Sequence, residues 1–185
     1  MTKFVDLHLC APFRNVEQLR KMVKKSFELG YRLVGIPLPP NIELDEVERL
    51  RKICSEAGLD FVSRLDITPK STNELLADLR RLRRKFEVVS VSCTSKTIAR
   101  QAAKDHRVDV LSFPVAKPRN RFFDSAEAEL ASESSSSLEI DMASLLSLEG
   151  FLRIRLISSL RREVAIAKSF HVPVVISSGT TNDYL

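Results

Sequence analysis

Short β-branched runs alternate with long amphipathic stretches along this chain. That alternation constrains the fold more than any other feature, because it is the signature of repeated βα units around a parallel sheet. Strands are expected at Phe4–Leu9, Arg32–Pro37, Phe61–Leu65, Val88–Ser92, Val108–Phe113, Ser137–Asp141 and Val174–Ser177. Capping signals open helices between them at Asn15-x-x-Gln18, Ser71-x-x-Glu74 and Asp124-x-x-Glu127. Apolar residues recur at helical spacing in the first helix (Val16, Leu19, Val23, Phe27) and in the helix from Thr72 (Leu75, Leu79, Leu82, Phe86). The last helix repeats the pattern with Ile157, Leu160, Val164 and Ala167, and these stripes should cover the sheet.

Seven such units fit a TIM-barrel-like (β/α) barrel better than an open doubly wound sheet of about five or six strands with its Gly-rich phosphate turn. Glycine occurs only five times, so G-x-G-x-x-G and Walker-type loops are absent. The 185 residues, 44% hydrophobic, are enough to bury a full core and read as a single domain, 1–185. Barrels of this type usually need about 200 residues or more. The chain stops just after the seventh strand, at Leu185, so the expected barrel has about seven βα units and an incomplete C-terminal closure. Ser132 to Ser137, with four consecutive serines, reads as a surface loop too short to link domains.

No run approaches the roughly 20 apolar residues of a membrane span, and the first ten residues alternate polar with apolar, unlike a signal peptide. A cytoplasmic protein with no membrane partner is expected. Cys10, Cys54 and Cys93 are odd in number and far apart, which points to buried small hydrophobes instead of disulfides or a zinc site. A net charge of +5 suits a nucleic-acid partner but does not by itself identify one.

Asp6 and His8 point to one face of the first strand, near the end where such barrels place their chemistry. A D-x-H there invites a metal-hydrolase reading. Against it, the chain has three histidines, and His106 and His171 precede strands five and seven at the opposite end. They cannot join His8 in a multi-histidine centre. Arg64 and Asp66 share one face of the third strand, and Glu139 and Asp141 one face of the sixth. A carboxylate pair could do acid–base work. The stronger reading is a buried polar core of Asp6, Arg64, Asp66, Glu139 and Asp141, with Arg64 pairing at least one of the acids.

Basic residues inform more by position than by number. The solvent face of the helix from Thr72 carries Arg80, Arg81 and Arg84, and the like charges at 80 and 84 repel unless something anionic compensates. The last long helix carries Arg155 and Arg162 opposite its apolar stripe, flanked by Arg153 and Arg161. The segment Pro114–Phe123 holds Lys117, Arg119 and Arg121 with no acid before Asp124, and ends in Phe122-Phe123. Lys117, Arg119 and Arg121 with Arg155 and Arg162 are the expected RNA contacts, and the rival RNA surface is the helix face bearing Arg80, Arg81 and Arg84.

Several stretches in order along the chain together resemble the archaeal ribonuclease P protein component 3 family, related to the thirty-kilodalton subunit of the eukaryotic enzyme. They are Ser63–Asp66, Asp105–Phe113, Phe122–Asp124 with Ala126–Ala131, Leu138–Asp141, and Val172–Gly179. The resemblance implies a TIM-barrel-like fold similar to polymerase-and-histidinol-phosphatase-type metal hydrolases whose metal ligands have been lost. It implies a subunit of ribonuclease P, the endoribonuclease that removes the 5′ leader of precursor tRNA. In that family the RNA subunit performs the cleavage and requires Mg²⁺; the protein carries no catalytic residue, metal or cofactor. The implied partners are the ribonuclease P RNA, protein component 2, the other protein subunits, and precursor tRNA as substrate of the complex. Family members continue past Ser177-Ser178-Gly179 with a basic helical tail, and no contact of that tail carries over to a chain ending at Leu185. The alternative is a small metal-dependent phosphoesterase using Asp6 and His8.

Overall fold

The computed structural model describes residues 4–114 and 121–182. Seven parallel strands form one sheet in sequential order: β1 (Phe4–Asp6), β2 (Tyr31–Pro37), β3 (Asp60–Ile67), β4 (Val88–Ser92), β5 (Val110–Ser112), β6 (Ser137–Asp141) and β7 (Val174–Ser177). The helices are α1 (Val16–Glu28), α2 (Leu44–Glu56), α3 (Thr72–Leu82), α4 (Lys96–Ala103), α5 (Ser125–Ser134), α6 (Met142–Ser147) and α7 (Gly150–Ser169), with a single 3₁₀ turn, Arg83–Lys85, after α3. Sequential parallel neighbours with helical crossovers curl the sheet into a nearly closed TIM-barrel-like α/β fold.

The capping residues read from the sequence act as caps. Asn15 accepts from Gln18 N, Ser71 accepts from Glu74 N, and Asp124 and Glu127 form a reciprocal capping box. Gly30 and Gly58 take positive φ values of 94° and 81° just past α1 and α2. Leu19, Met22 and Val23 of α1, Leu50 of α2, and Leu75 and Leu79 of α3 are buried against Val34, Ile36, Leu65, Val89, Val91, Leu111 and Leu138 of the strands.

Three expectations need correction. β1 is shorter than expected, ending at Asp6, because the chain turns there: His8 N donates to the Asp6 carboxylate at 3.1 Å. The neighbouring strand accommodates that turn only through Gly35, where a Cβ would lie 2.6 Å from Leu7 O. Phe27 is not core: it lies on the surface beneath the Arg32 guanidinium, 4.9 Å from its ring centre. On α7 the inward residues are Leu156, Glu163 and Ala167, while Ile157 faces out. The inward line thus keeps Ala167 of the expected stripe but takes Leu156 and Glu163 in place of Ile157 and Val164, and it includes a charge.

β1 and β7 do not pair as strands. The segments that follow them do meet, through Gly179 N to His8 O at 2.9 Å and Cys10 N to Thr180 O at 3.0 Å. The barrel is therefore bridged at its C-terminal mouth and open below, where Phe4, Val5 and Ile176 are exposed.

Candidate functional site

Strand alternation sends Arg64 into the barrel, where it is 1% exposed. Its guanidinium grips Glu139 in a two-pronged pair, Nη1–Oε1 2.6 Å and Nη2–Oε2 2.7 Å. Nε donates to Asp66 at 2.7 Å and Nη1 also to Leu7 O at 2.9 Å. Ser177 Oγ donates to Glu139 at 2.8 Å, so β3, β6, β7 and the turn after β1 converge on an arginine whose three nitrogens are all bonded. Asp6, also buried, accepts from the backbone of His8 and of Ser178 and ties the mouth across the seam.

His8 sits above this pair between two more acids. Its Nε2 lies 3.4 Å from Asp66 and 3.2 Å from Cys10 Sγ, and its Nδ1 lies 3.3 Å from Asp141. The Nδ1 contact is off the N–H axis and acts through charge more than as a formed hydrogen bond. Burial opposes a charged ring, but the contacts to Asp141, Asp66 and Cys10 outweigh it and push the His8 pKa from 6.5 up to about 12. The expected buried polar core is therefore only partly buried: Asp6, Arg64 and Glu139 are inside, while Asp66 is exposed at the mouth and Asp141 half-buried. Partial desolvation opposes ionised Asp66 and Asp141, yet the adjacent His8 holds both below the usual carboxylate range, helped at Asp66 by Arg64. Asp141 also caps α6 and leaves no room for a side chain at residue 179, where a Cβ would strike its carboxylate; Gly179 has φ +63°.

This cluster has a pH signature. Folded His8 keeps a proton that the unfolded chain releases near pH 6.5, so its stabilisation is complete below that pH and drains away as pH rises toward about 12. Asp66 and Asp141 act oppositely, their contribution being lost on acidification through the low pKa values they have in the folded protein. Compared with His8→Gln in urea unfolding series, the wild type should lose up to about 1.4 kcal/mol per pH unit above neutrality. Parallel pH profiles for the two proteins would contradict the assignment.

Both ring nitrogens of His8 already face acids of the barrel, Asp66 and Asp141, so the ring serves the polar cluster. Among the described residues no group of His, Cys, Asp and Glu has the arrangement to hold one. His106, bonded at Nδ1 to Ser134 O, and His171 follow α4 and α7 at the other end of the barrel. The metal-hydrolase alternative finds no support in this geometry.

The proposed RNA contacts fall into three groups. Lys117 and Arg119 lie outside the described residues. Arg121 is not a surface cation. It is buried, bonded to Glu163 of α7 at 2.7 and 2.5 Å and to Phe113 O at 2.9 Å, and its charge is consumed inside the fold. Next to it Phe123, 1% exposed, packs edge-to-face on Phe113 with ring centres 5.8 Å apart, so this aromatic anchors the segment instead of awaiting a base.

Arg80 and Arg84 are exposed, with no carboxylate in reach among the described residues. The acids around them are taken: Asp78 by Arg81, Asp109 by Arg83, Glu87 by Arg51 and Asp105 by Arg107. Lys85 and Lys104 add exposed charge at the same end of the barrel. On α7, Arg162 is exposed, and Arg155 is half-buried over the Phe151 ring at 5.4 Å.

The sequence matches the family described as RNase P subunit p30 over residues 3–184. The chain belongs to that family. Ribonuclease P protein component 3 of Methanocaldococcus jannaschii is 30% identical over 140 residues, which are 76% of this p30-family chain and 60% of that protein. The Methanothermobacter thermautotrophicus protein of the same name is 22% identical over the whole chain and 76% of its own length. This chain thus spans about three fifths of the first relative and three quarters of the second. Among solved structures, a chain of archaeal ribonuclease P with mature tRNA superposes with a TM-score of 0.82 at 25% identity, covering 98% of this chain and 76% of that one. A truncated 3-deoxy-D-arabino-heptulosonate 7-phosphate synthase from Thermotoga maritima shares the fold alone, at a TM-score of 0.52 and 16% identity.

Sequence reasoning missed Glu163 as the partner of Arg121, and the charge on His8. Glu163 could have been found as a residue seven places from Leu156 on the same helical face. A charged residue in an apolar stripe reads as an error in the stripe until its partner, 42 residues away, is known.

Proposed function

We propose that this p30-family chain is a cytoplasmic protein subunit of ribonuclease P, the complex that removes the 5′ leader of precursor tRNA. In this reading the chain supplies no catalytic group. It helps the RNA subunit fold and use Mg²⁺, by binding that RNA and partner proteins, component 2 among them. The observation that carries the reading is the likeness along nearly the whole chain to a component of archaeal ribonuclease P, a TM-score of 0.82 over 98% of its length. The polar interior supports it: the carboxylates that could do acid–base work are engaged by Arg64 and His8. No described helix is long and apolar enough to cross a membrane.

The RNA face of this reading centres on Arg80 and Arg84, with Lys85 and Lys104 beside them. Neither arginine has a carboxylate partner among the described residues, and phosphates would supply the missing negative charge. If each arginine neutralises one phosphate of a duplex, Arg80→Ala with Arg84→Ala should flatten the log–log salt dependence of RNA binding by up to about 1.8. Folding should not change. An unaltered salt slope in filter-binding measurements would remove these residues from the interface. Assembly itself is tested by sedimentation: the RNA and remaining subunits should form a heavier particle when this chain is added, and an unchanged particle would count against the proposal.

A further inference from the structure

The solvent side of a helix on the outside of a barrel is normally polar. The start of α7 breaks that rule. Phe151 is 69% exposed, Ile154 63%, Leu152 49% and Ile157 41%, and Leu146 at the end of α6 is 50% exposed. Behind them Leu145, Ile157, Leu160 and Val164 line a shallow cleft between α6 and α7, with Arg161 at its edge. Large apolar side chains exposed together at one end of a helix, beside an apolar cleft, mark a binding site more often than chance exposure.

The charges around it choose the partner. Arg153, Arg155, Arg161 and Arg162 surround the patch, and none is paired with a carboxylate among the described residues. Glu163, on the same helix, is spent on Arg121 inside the fold. RNA would satisfy the arginines but offers little to cover four aliphatic side chains. A second copy docked by a twofold axis would set this basic rim against the same basic rim, a like-charge arrangement that costs affinity. What fits both features is a different protein with an apolar centre and a rim of Asp and Glu.

We propose that the α6–α7 surface built from Leu146, Phe151, Leu152, Ile154 and Ile157 is the docking site for such an acidic-rimmed protein partner, and that Arg155 and Arg162 serve this contact instead of RNA. The proposal rests on the reading of the chain as a subunit of a ribonucleoprotein, which supplies the candidate partners. Phe151, with Arg155 over its ring, is the anchor, since buried aromatics and arginines dominate such interfaces.

The test uses the full chain, the other ribonuclease P protein subunits one at a time, and the RNA alone. Phe151→Ser with Ile154→Ser should weaken binding to one protein subunit by about 30-fold or more. RNA binding and the thermal melt should stay as in the wild type, because both side chains are already in solvent. Arg155→Glu with Arg162→Glu should weaken the same protein contact, most strongly at low salt. Loss of RNA binding with protein contacts intact would overturn the proposal in favour of an RNA face. A wild-type dimer that the serine variant dissociates would overturn it in favour of self-association. Wild type and variants joining the particle equally well would also overturn it. A wild type that binds neither RNA nor any subunit would instead bring down the assembly reading, and this surface with it.

Discussion

Arg64→Ala should lower the folding free energy by about 3–5 kcal/mol, because it strands Glu139 inside the barrel without its cation. In a protein of this size that corresponds to a fall of roughly 10 °C in Tm. The size of the loss comes from the orphaned charge more than from the worth of the pair. Replacing both ends with apolar residues of similar volume, Arg64→Met with Glu139→Leu, should therefore recover most of the stability lost by the single change. Urea unfolding of the three proteins decides it. A loss below about 1 kcal/mol for Arg64→Ala, the range of an exposed pair, would mean the pair is solvated in solution.

The second large effect belongs to Arg121 and Glu163, whose side chains are 3% and 1% exposed. Arg121→Ala should also cost about 3–5 kcal/mol, and Glu163→Ala a similar amount. The two together should cost far less than the sum, since each single change already breaks the same two bonds. Additive losses in a double-mutant cycle would contradict the pairing. This pair bolts α7 to the segment entering α5, so hydrogen exchange near Phe113 and Phe123 should accelerate in either single variant.

The seven strands and their helices were legible because each is a local signal: an apolar run, an amphipathic stripe or a cap. The Arg64 pair was legible because two-residue alternation puts Arg64 and Asp66 on one face of β3 and Glu139 and Asp141 on one face of β6, and a buried charge must find a counter-charge. What escaped was set by distance in the chain. His8 owes its charge to Asp66 and Asp141, from two other strands, and nothing near residue 8 announces that both will flank its ring. Arg121 looked like part of a basic loop with Lys117 and Arg119, because a composition window cannot separate a cation held by Glu163 from one left in water. The end of β1 at Asp6 was hidden for the same reason: the turn is fixed by the close approach of Gly35 and by bonds from Ser178 and Gly179 across the seam. On α7 Ala167 was placed correctly, but Leu156 and Glu163 take the inward positions expected of their neighbours Ile157 and Val164, a shift of one residue or about 100° on a helix.

The most direct test of the central claim is reconstituted cleavage of precursor tRNA by the ribonuclease P RNA and the other protein subunits, with and without this chain, across a series of Mg²⁺ concentrations. Adding the chain should raise the cleavage rate most at low Mg²⁺, where the RNA needs help to fold, while the chain alone cleaves nothing. An identical rate with and without the chain at every Mg²⁺ concentration, or cleavage by the chain in the absence of the RNA, would contradict the account.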